Sequence, residues 1–155
     1  MKKAFVLFLV VLLIFSVSSC VKTPVKCNLL YDIDIVESIS IYHIEQKIEL
    51  IRSIDEKNDP IIVLDKIKSK AFMADFDMLS FTESAPIFPI ASTPNFSYLE
   101  YVIKISYQNG AYDFVSYNGI QGGIDTDGNE TCSHYYCDKS EWENLINKYL
   151  TYSAK

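Results

Sequence analysis

The sequence predicts an α+β domain with a small antiparallel sheet of about five to six strands, an internal helix, and a C-terminal amphipathic helix packed on one face. Two stretches carry this prediction. Residues 98–117 place strand-forming residues on both sides of Asn109-Gly110, a pair that favours the positive φ angles of a tight hairpin turn. Near the C-terminus, apolar residues recur at the spacing of one helix face: Trp142, Leu145, Ile146 and Tyr149.

The first nineteen residues have the features of an export signal. Lys2 and Lys3 form a basic start, and residues 4–17 form an apolar run of about 14 residues. A helix of that length is too short to cross a bilayer. The run ends in Val-Ser-Ser-Cys at residues 17–20, with small residues directly before Cys20. We therefore expect residues 1–19 to be a signal peptide.

This ending resembles the lipobox of bacterial lipoproteins, in which Leu is usual where Val17 stands. The resemblance implies cleavage before Cys20 and attachment of a diacylglyceryl group to its thiol. Acyl chains on one cysteine would hold the protein to a membrane, because each buried methylene contributes about 0.8 kcal/mol. The alternatives are an ordinary secretory peptide, which would leave Cys20 as a thiol or in a disulfide, and an uncleaved membrane anchor. We expect a lipid-anchored, extracytoplasmic protein of the cell envelope.

The charge of the chain limits its partners. Removal of residues 1–19 takes away two lysines and no acidic residue, so the formal net charge falls from −6 to −8. Nucleic acids and anionic lipid headgroups are bound by basic surfaces, so neither is an expected partner. Contact with the membrane is expected through the N-terminal lipid alone.

The chain then divides into a tether and one domain. Residues 20–34 have no clear period and contain Pro24, which predicts a short tether, and residues 35–152 form the domain. Residues 35–44 alternate with isoleucines on one side, as in a strand. Residues 46–55 fit either a strand or a helix. We favour a second strand that pairs with the first through a tight turn.

An internal helix is predicted to follow. Asn58 and Asp59 before Pro60 are typical of a helix start. Residues 72–81 alternate loosely and predict a third strand, and the prolines of the loop that follows exclude regular structure. The expected buried face of the internal helix consists of Val63, Leu64, Ile67 and Ala71.

The two-residue turn assigned to the central hairpin fixes its register. Tyr107 would then face Tyr112, and Phe114 would share the core face with Ile103 and Ile105. Asp113 would lie on the wet face. The C-terminal helix is predicted to pack against that core face, and Trp142 is expected to be buried there.

The rest of the chain gives local signals. Asn118-Gly119 and Gly122-Gly123 should loosen the chain before a turn at residues 125–130. Tyr135 and Tyr136 indicate a last strand. Asp138 and Glu141 have capping-box spacing at the start of the C-terminal helix.

Three cysteines remain after Cys20. Outside the cytoplasm a pair of thiols tends to be oxidised. We favour a disulfide between Cys132 and Cys137, which requires a turn between them because a straight strand would separate them by about 16 Å. Cys27 paired with either of them is an alternative, and so is no disulfide at all.

Metal and catalytic motifs are weak. The spacing Cys132-x-His134-x-x-Cys137 contains zinc-binding residue types, but it matches no zinc pattern, and His43 is the other histidine of the chain. The turn at residues 125–130 has its glycine at the fourth place, which does not fit a calcium loop. The sequence contains no nucleophile elbow, phosphate loop or dinucleotide fingerprint. We expect no metal, no cofactor and no enzymatic activity.

One apolar loop is a candidate contact for a partner. An exposed apolar patch often marks an interaction surface. The alternative is that the loop folds back over a sheet edge. The patch consists of Ile87, Phe88, Pro89 and Ile90.

From about residue 36 to residue 150, the order of elements resembles that of small lipoproteins of Gram-positive and related bacteria. The shared features are an isoleucine-rich first strand, the hairpin from Tyr101 to Gly110, and Cys137-Asp138 followed by the C-terminal helix. The resemblance implies a shared structure and transfers no catalytic or binding residue.

The function expected from these observations is that of a membrane-tethered, non-catalytic binding or interaction module, whose partner is an envelope or extracellular protein or ligand. One alternative is an envelope enzyme or metal-binding protein that uses His43, His134 and the cysteines. Another is a small inhibitor or immunity-like protein.

Overall fold

The computed structural model of the chain describes residues 24–44, 54–83, 101–117 and 120–152. The strands are β1 (Val36–His43), β2 (Ile62–Leu64), β3 (Thr82–Glu83), β4 (Tyr101–Tyr107), β5 (Tyr112–Val115), β6 (Ile120–Ile124) and β7 (Glu130–Tyr136). The helices are α1 (Ile54–Lys57), α2 (Lys66–Phe76) and α3 (Lys139–Tyr152), and a 3-10 turn spans Ile33–Ile35.

The strands form one antiparallel sheet in the order β2-β1-β4-β5-β6-β7-β3. Six of them have three residues or more, and β3 adds a two-residue edge. With an internal helix and a C-terminal helix, the predicted α+β class is confirmed. Within the described ranges, no helix is long and apolar enough to cross a membrane.

Strand β1 forms where the alternating isoleucines predict it, and Ile39 and Ile41 are fully buried. Its two neighbours are β2 and β4, which both pair with residues 39–41. The prediction that a strand at residues 46–55 pairs with β1 is therefore wrong at these positions. Most of that stretch lies outside the described residues, and its end belongs to α1.

The internal helix begins later than predicted. Residues 62–64 are strand β2, so Asn58 and Asp59 do not cap the helix. Asp65 is the N-cap, and its carboxylate accepts a 2.9 Å hydrogen bond from the Lys68 amide. Ile67 is 83% exposed, so the predicted buried face is wrong. Helix α2 also occupies the first half of the predicted third strand. The buried residues of the helix are Ser69, Phe72, Met73 and Phe76.

The central hairpin has a three-residue turn. The Tyr107 amide donates to the Ala111 carbonyl, and the Gly110 amide donates to the Tyr107 carbonyl, both at 3.0 Å. Ile105 therefore pairs with Asp113, one residue away from the predicted register. A shift of one residue moves every side chain of a strand to the opposite face. Asp113 consequently lies on the core face and is fully buried, which corrects its predicted place on the wet face.

The same shift places Phe114 on the opposite face of the sheet. There it is fully buried and packs with Tyr42, Val102 and Ile54 in a small second core. The main core lies on the other face, where Ile103, Ile105 and Val115 meet helices α2 and α3. Both faces of the sheet thus bury apolar side chains.

The C-terminal helix packs into the main core, as predicted. Trp142 is fully buried, and the centroid of its ring lies 6.5 Å from that of Phe76 on α2. Asp138 caps the helix by accepting hydrogen bonds from the amides of Ser140 and Glu141, at 2.8 and 3.2 Å. The predicted start and packing of this helix are confirmed, but Phe114 is not part of its contact surface.

The last two strands form a second hairpin. Asp125 accepts hydrogen bonds from the amides of Asp127 and Asn129, at 2.9 and 2.8 Å, and Gly128 has a φ of +82°. The predicted turn at residues 125–130 is confirmed. Gly122 and Gly123 do not loosen the chain, because both lie within β6 and pair on both sides.

Candidate functional site: a groove beside the N-terminal segment

Residues 24–33, called here the N-terminal segment, belong to the domain. Val25 and Phe81 exchange two backbone hydrogen bonds, of 2.8 and 3.1 Å. Several side chains of the segment pack against the main core, among them Leu29 and Leu30. The predicted boundary between tether and domain at residue 35 is therefore too late. In the described part of the chain, the residues from 24 onward pack as part of the domain.

A buried carboxylate holds this segment in place. Asp113 accepts a 2.9 Å hydrogen bond from the Leu30 amide and a 2.6 Å hydrogen bond from the Tyr107 hydroxyl. Both hydrogen bonds end on Asp113 Oδ2. Asp113 is fully buried, and Tyr107 is nearly so. A buried carboxylate is costly unless hydrogen bonds replace those to water. The Leu30 amide thus connects the N-terminal segment to the central hairpin, and the Tyr107 hydroxyl holds the Asp113 carboxylate from within that hairpin.

Gly123 makes this arrangement possible. A Cβ atom at this position would lie 2.5 Å from Asp113 Oδ1 and 2.5 Å from Leu30 Cδ1. Such distances are shorter than any van der Waals contact. Position 123 of β6 therefore requires glycine because a Cβ atom has no room there. The requirement does not come from an unusual backbone angle.

The charge of Asp113 affects its neighbours. The pKa of the Tyr107 hydroxyl is raised, first by burial and then by the charge of Asp113 and the hydrogen bond to it. Burial, followed by the charge of Asp113, also raises the pKa of the Cys27 thiol to about 12. Tyr107 is therefore a hydrogen-bond donor at neutral pH, and Cys27 is a neutral thiol.

A groove of about 490 Å³ lies between the N-terminal segment and helix α2. Its size is within the range of small-molecule sites. Most of its lining is apolar or aromatic, and the lining residues are Lys26, Cys27, Leu29, Leu30, Tyr31, Asp32, Ile33, Met73, Phe76, Asp77, Leu79 and Phe81.

An ion pair stands at the rim of the groove. Lys26 Nζ lies 2.8 Å from Asp77 Oδ2, and it also donates to the Asp77 carbonyl. Both side chains are mostly exposed, so the pair contributes little to stability. Lys26 and Asp77 also border a neighbouring depression of about 340 Å³, next to Pro24 and Met78. Both residues of the ion pair therefore border both depressions.

The structure does not bring the two histidines together. His43 is at the end of β1, and His134 is in β7, which is four strands further along the sheet. At roughly 4.8 Å per strand, their backbones are about 19 Å apart. A single metal or acid–base site cannot use both residues.

The fold also separates Cys132 from Cys137, the two cysteines of the predicted disulfide. Cys132 lies within β7, and Cys137 follows directly after the last residue of that strand. The strand is continuous, so the turn that a Cys132–Cys137 disulfide requires is absent from residues 130–136. This geometry disfavours that pairing.

Two further predicted sites, the lipidated Cys20 and the apolar loop at residues 87–90, lie outside the described residues. In the described part of the chain, no group of three or more histidine, cysteine or acidic residues is arranged to hold a metal ion. Sequence reasoning missed the groove and the buried Asp113. The register of the hairpin was the missing information, because it alone decides which face Asp113 occupies.

A second polar cluster lies on the opposite face of the sheet. The Tyr42 hydroxyl donates a 2.5 Å hydrogen bond to Asp55, which also forms an ion pair with Lys104. The Lys104 ammonium lies 4.4 Å from the centre of the Tyr112 ring and 5.7 Å from that of Phe114. The cation–π contacts and the ion pair satisfy Lys104 within the domain, so this cluster is structural.

Comparison of the chain with protein-family models, with curated proteins and with solved structures finds no match.

Proposed function

We propose that this protein is a lipid-anchored binding module of the cell envelope, and that the groove beside its N-terminal segment binds a small apolar ligand that is neutral or positively charged. The observation that carries the proposal is the position of the groove wall. The wall is residues 26–33, which continue directly from the expected lipid anchor at Cys20.

The short connection would keep the groove near the membrane. Five residues lie between Cys20 and Lys26, and the six Cα–Cα steps that join the two span at most about 21 Å when fully extended. A ligand dissolved in the bilayer or released from it would therefore encounter the groove at short range. Amphiphilic molecules are the class that this position favours.

The lining defines the polarity of the ligand. The leucine, isoleucine, methionine and phenylalanine side chains offer apolar contact, and the charged members are Lys26, Asp32 and Asp77. Asp77 neutralises Lys26 at the rim, which leaves Asp32 as the excess charge. The mature chain is also acidic. An anionic ligand would meet an unfavourable potential, whereas a neutral or cationic one would not.

Binding can be tested with three eight-carbon probes that differ in charge: octylamine, octanol and octanoate. Methyl resonances of Leu29, Met73 and Leu79 should shift with octylamine and octanol, and less with octanoate. Ile33, which is 44% exposed in the groove lining, is the residue to change. Ile33→Asn should weaken binding of octanol about fivefold, the equivalent of about 1 kcal/mol of lost apolar burial.

The matched control is Val63→Asn. Val63 is also exposed, at 57%, but it lies on β2 and does not line the groove. This variant should bind octanol as the unchanged chain does. Equal weakening by both substitutions, or shifts confined to other parts of the domain, would contradict a binding site in the groove.

The anchor has its own test. Metabolic labelling with a fatty-acid analogue should mark the unchanged chain and should not mark Cys20→Ser. Equal labelling of both, or recovery of the unchanged chain from the medium without label, would show that Cys20 does not anchor the protein.

A further inference from the structure

Helix α2 carries apolar side chains on two opposite sides. Its inner side packs into the main core and consists of Ser69, Phe72, Met73 and Phe76. At about 100° per residue, the opposite side consists of Ile67, Ala71 and Ala74, called here the outer face. All three are exposed, and Ile67 is 83% exposed. The centre of the outer face is thus apolar although it points to solvent.

Three lysines, called here the lysine cluster, border the outer face. Lys66 and Lys70 lie along one edge of it and Lys68 along the other, and all three are exposed. In the described part of the chain, none of the three forms an ion pair. Four other lysines do contact an acidic side chain: Lys26, Lys104, Lys139 and Lys148.

The lysine cluster gives the first half of α2 an excess of positive charge. Asp65 is the one acidic residue between residues 60 and 74. Cations stabilise the C-terminal end of a helix, so the stability of α2 does not explain lysines at this position. An acidic protein therefore presents a local basic and apolar surface.

The expected anchor meets the domain at the far end of the same helix. Lys26 Nζ lies 2.8 Å from the carboxylate of Asp77, the C-cap of α2. Pro24 borders the same small depression as Met78, which is 82% exposed. The four Cα–Cα steps from Cys20 to Pro24 span at most about 14 Å. A bilayer that holds Cys20 must therefore lie close to this end of α2.

We propose that the outer face of α2, together with Met78 and the lysine cluster, lies on the surface of a bilayer that contains anionic lipids. Helices at a membrane interface combine an apolar strip with cations beside it. Ile67 and Met78 would enter the headgroup region. The lysine stems would cover apolar surface while their ammonium groups meet lipid phosphates. This inference rests on the proposed membrane anchor.

The anchor makes a weak contact sufficient. An anchored domain meets the bilayer at an effective concentration in about the millimolar range, because the second contact is intramolecular. The negative net charge of the whole chain does not decide this contact, since salt limits electrostatic attraction to about 8 Å from the surface. Within that distance the lysine cluster is the charge that the lipids meet, and it complements theirs.

The contact would also orient the groove. Met73 and Phe76 line the groove from the inner side of α2. The groove would therefore lie roughly one helix diameter, about 10 Å, above the headgroups. An apolar ligand that leaves the bilayer would have a short path to the site.

The test uses the full chain, with residues 1–19 retained, added to preformed vesicles of phosphatidylcholine alone or with about 30% phosphatidylglycerol. Its apolar residues 4–17 hold the chain on both kinds of vesicle whether or not Cys20 is acylated. Failure of this contact and failure of lipidation are therefore told apart, because metabolic labelling tests Cys20 separately.

Brief acetylation followed by mass spectrometry measures how fast each lysine is labelled. The lysine cluster should be labelled about threefold more slowly on the vesicles that contain phosphatidylglycerol. Lys139, on α3, should be labelled equally on both kinds of vesicle. Sodium chloride at about 0.5 M should abolish the difference, because it screens the attraction.

Ile67→Gln should lose most of the protection of the lysine cluster, because it removes the apolar contact. The matched control is Val63→Gln, which should keep the protection. Val63 is also exposed, but it lies on β2 between the buried Ile62 and Leu64 and points away from α2. Circular dichroism of both variants confirms that the domain is folded.

Three results would overturn the proposal. One is equal labelling of the lysine cluster on both kinds of vesicle. Another is equal protection in Ile67→Gln and in the unchanged chain. The third is protection on phosphatidylcholine alone that rises with the density of protein on the vesicle, which would assign the outer face to a second copy of the chain.

Discussion

The hydroxyl of Tyr107 donates a 2.6 Å hydrogen bond to the carboxylate of Asp113, across the turn of the same hairpin. Both residues are buried, and the carboxylate also accepts the Leu30 amide at 2.9 Å. The position of the N-terminal segment thus depends on the register of the central hairpin.

Replacement of Asp113 by alanine should lower the free energy of unfolding by about 2 to 4 kcal/mol, because two buried donors lose their acceptor. Asp113→Asn retains one acceptor oxygen and should lose less. Chemical denaturation measures both changes, and hydrogen exchange at the Leu30 amide should accelerate in Asp113→Ala. The control variant is Asp127→Ala, which replaces an exposed aspartate of the second hairpin. Unchanged exchange at Leu30 would show that Asp113 does not hold the N-terminal segment.

Gly110→Val should lower the free energy of unfolding by about 1 to 2 kcal/mol. Gly110 has a φ of +87°, a region that a β-branched residue tolerates poorly. No heavy atom lies within 4 Å of the position that a Cβ would take, so strain and not collision causes the loss. Asn tolerates this region, and Gly110→Asn should therefore lose less. Equal denaturation midpoints for valine and glycine would contradict the three-residue turn.

Trp142→Ala should lower the free energy of unfolding by about 3 to 5 kcal/mol, since it removes a fully buried indole from the main core. Trp142→Phe keeps an aromatic ring against Phe76 and should cost less. Trp142 is the single tryptophan of the chain, so its fluorescence reports this position alone. The emission of the folded domain should be blue-shifted and protected from acrylamide. A red-shifted, freely quenched emission would place the helix outside the core.

Stability should fall as the pH drops below about 4, in part because of Asp75. Its pKa lies below its ordinary value of 3.8, first because Lys148 donates a hydrogen bond to it and then because Tyr149 does. A carboxylate with a lowered pKa stabilises the fold above its unfolded pKa, and this contribution is lost as the pH falls through the folded pKa. Asp75→Asn replaces this carboxyl group with an amide that does not titrate.

The difference in unfolding free energy between the unchanged chain and Asp75→Asn should therefore narrow between about pH 5 and pH 2. The difference in unfolding free energy between the unchanged chain and Lys148→Met should narrow over the same pH range. This substitution removes the hydrogen bond that is the largest cause of the lowered Asp75 pKa. A constant difference over this range would exclude a role for Asp75 in acid unfolding.

Local signals in the sequence were enough for the fold class. The isoleucines of β1, the cap at Asp138 and the turn after Asp125 each depend on a few neighbouring residues, and each is confirmed. Helix α2 was misplaced because Pro60 is a strong helix-start signal, whereas the alternation at residues 62–64 is a short strand signal. Tertiary pairing with β1 decides between the two.

The candidate site could not be predicted in the same way. The placement of its N-terminal wall depends on Asp113, and therefore on whether the hairpin turn has two residues or three. Asn109-Gly110 fits both turn lengths. That difference of one residue moves Asp113 from water to the core. The groove wall is a segment without periodicity, and it is ordered by Phe81 and Asp113, which are distant in sequence. Such long-range contacts leave no local pattern.

The hydrogen bond between Leu30 and Asp113 joins residues 83 positions apart, and the one between Tyr149 and Asp75 joins residues 74 apart. Contacts of such long range slow the folding of a domain, because much of the chain must be ordered before they form. The N-terminal segment is made first and cannot dock until the hairpin that contains Asp113 exists. In a chain that emerges N-terminus first, this segment therefore stays undocked until at least residue 113 has appeared.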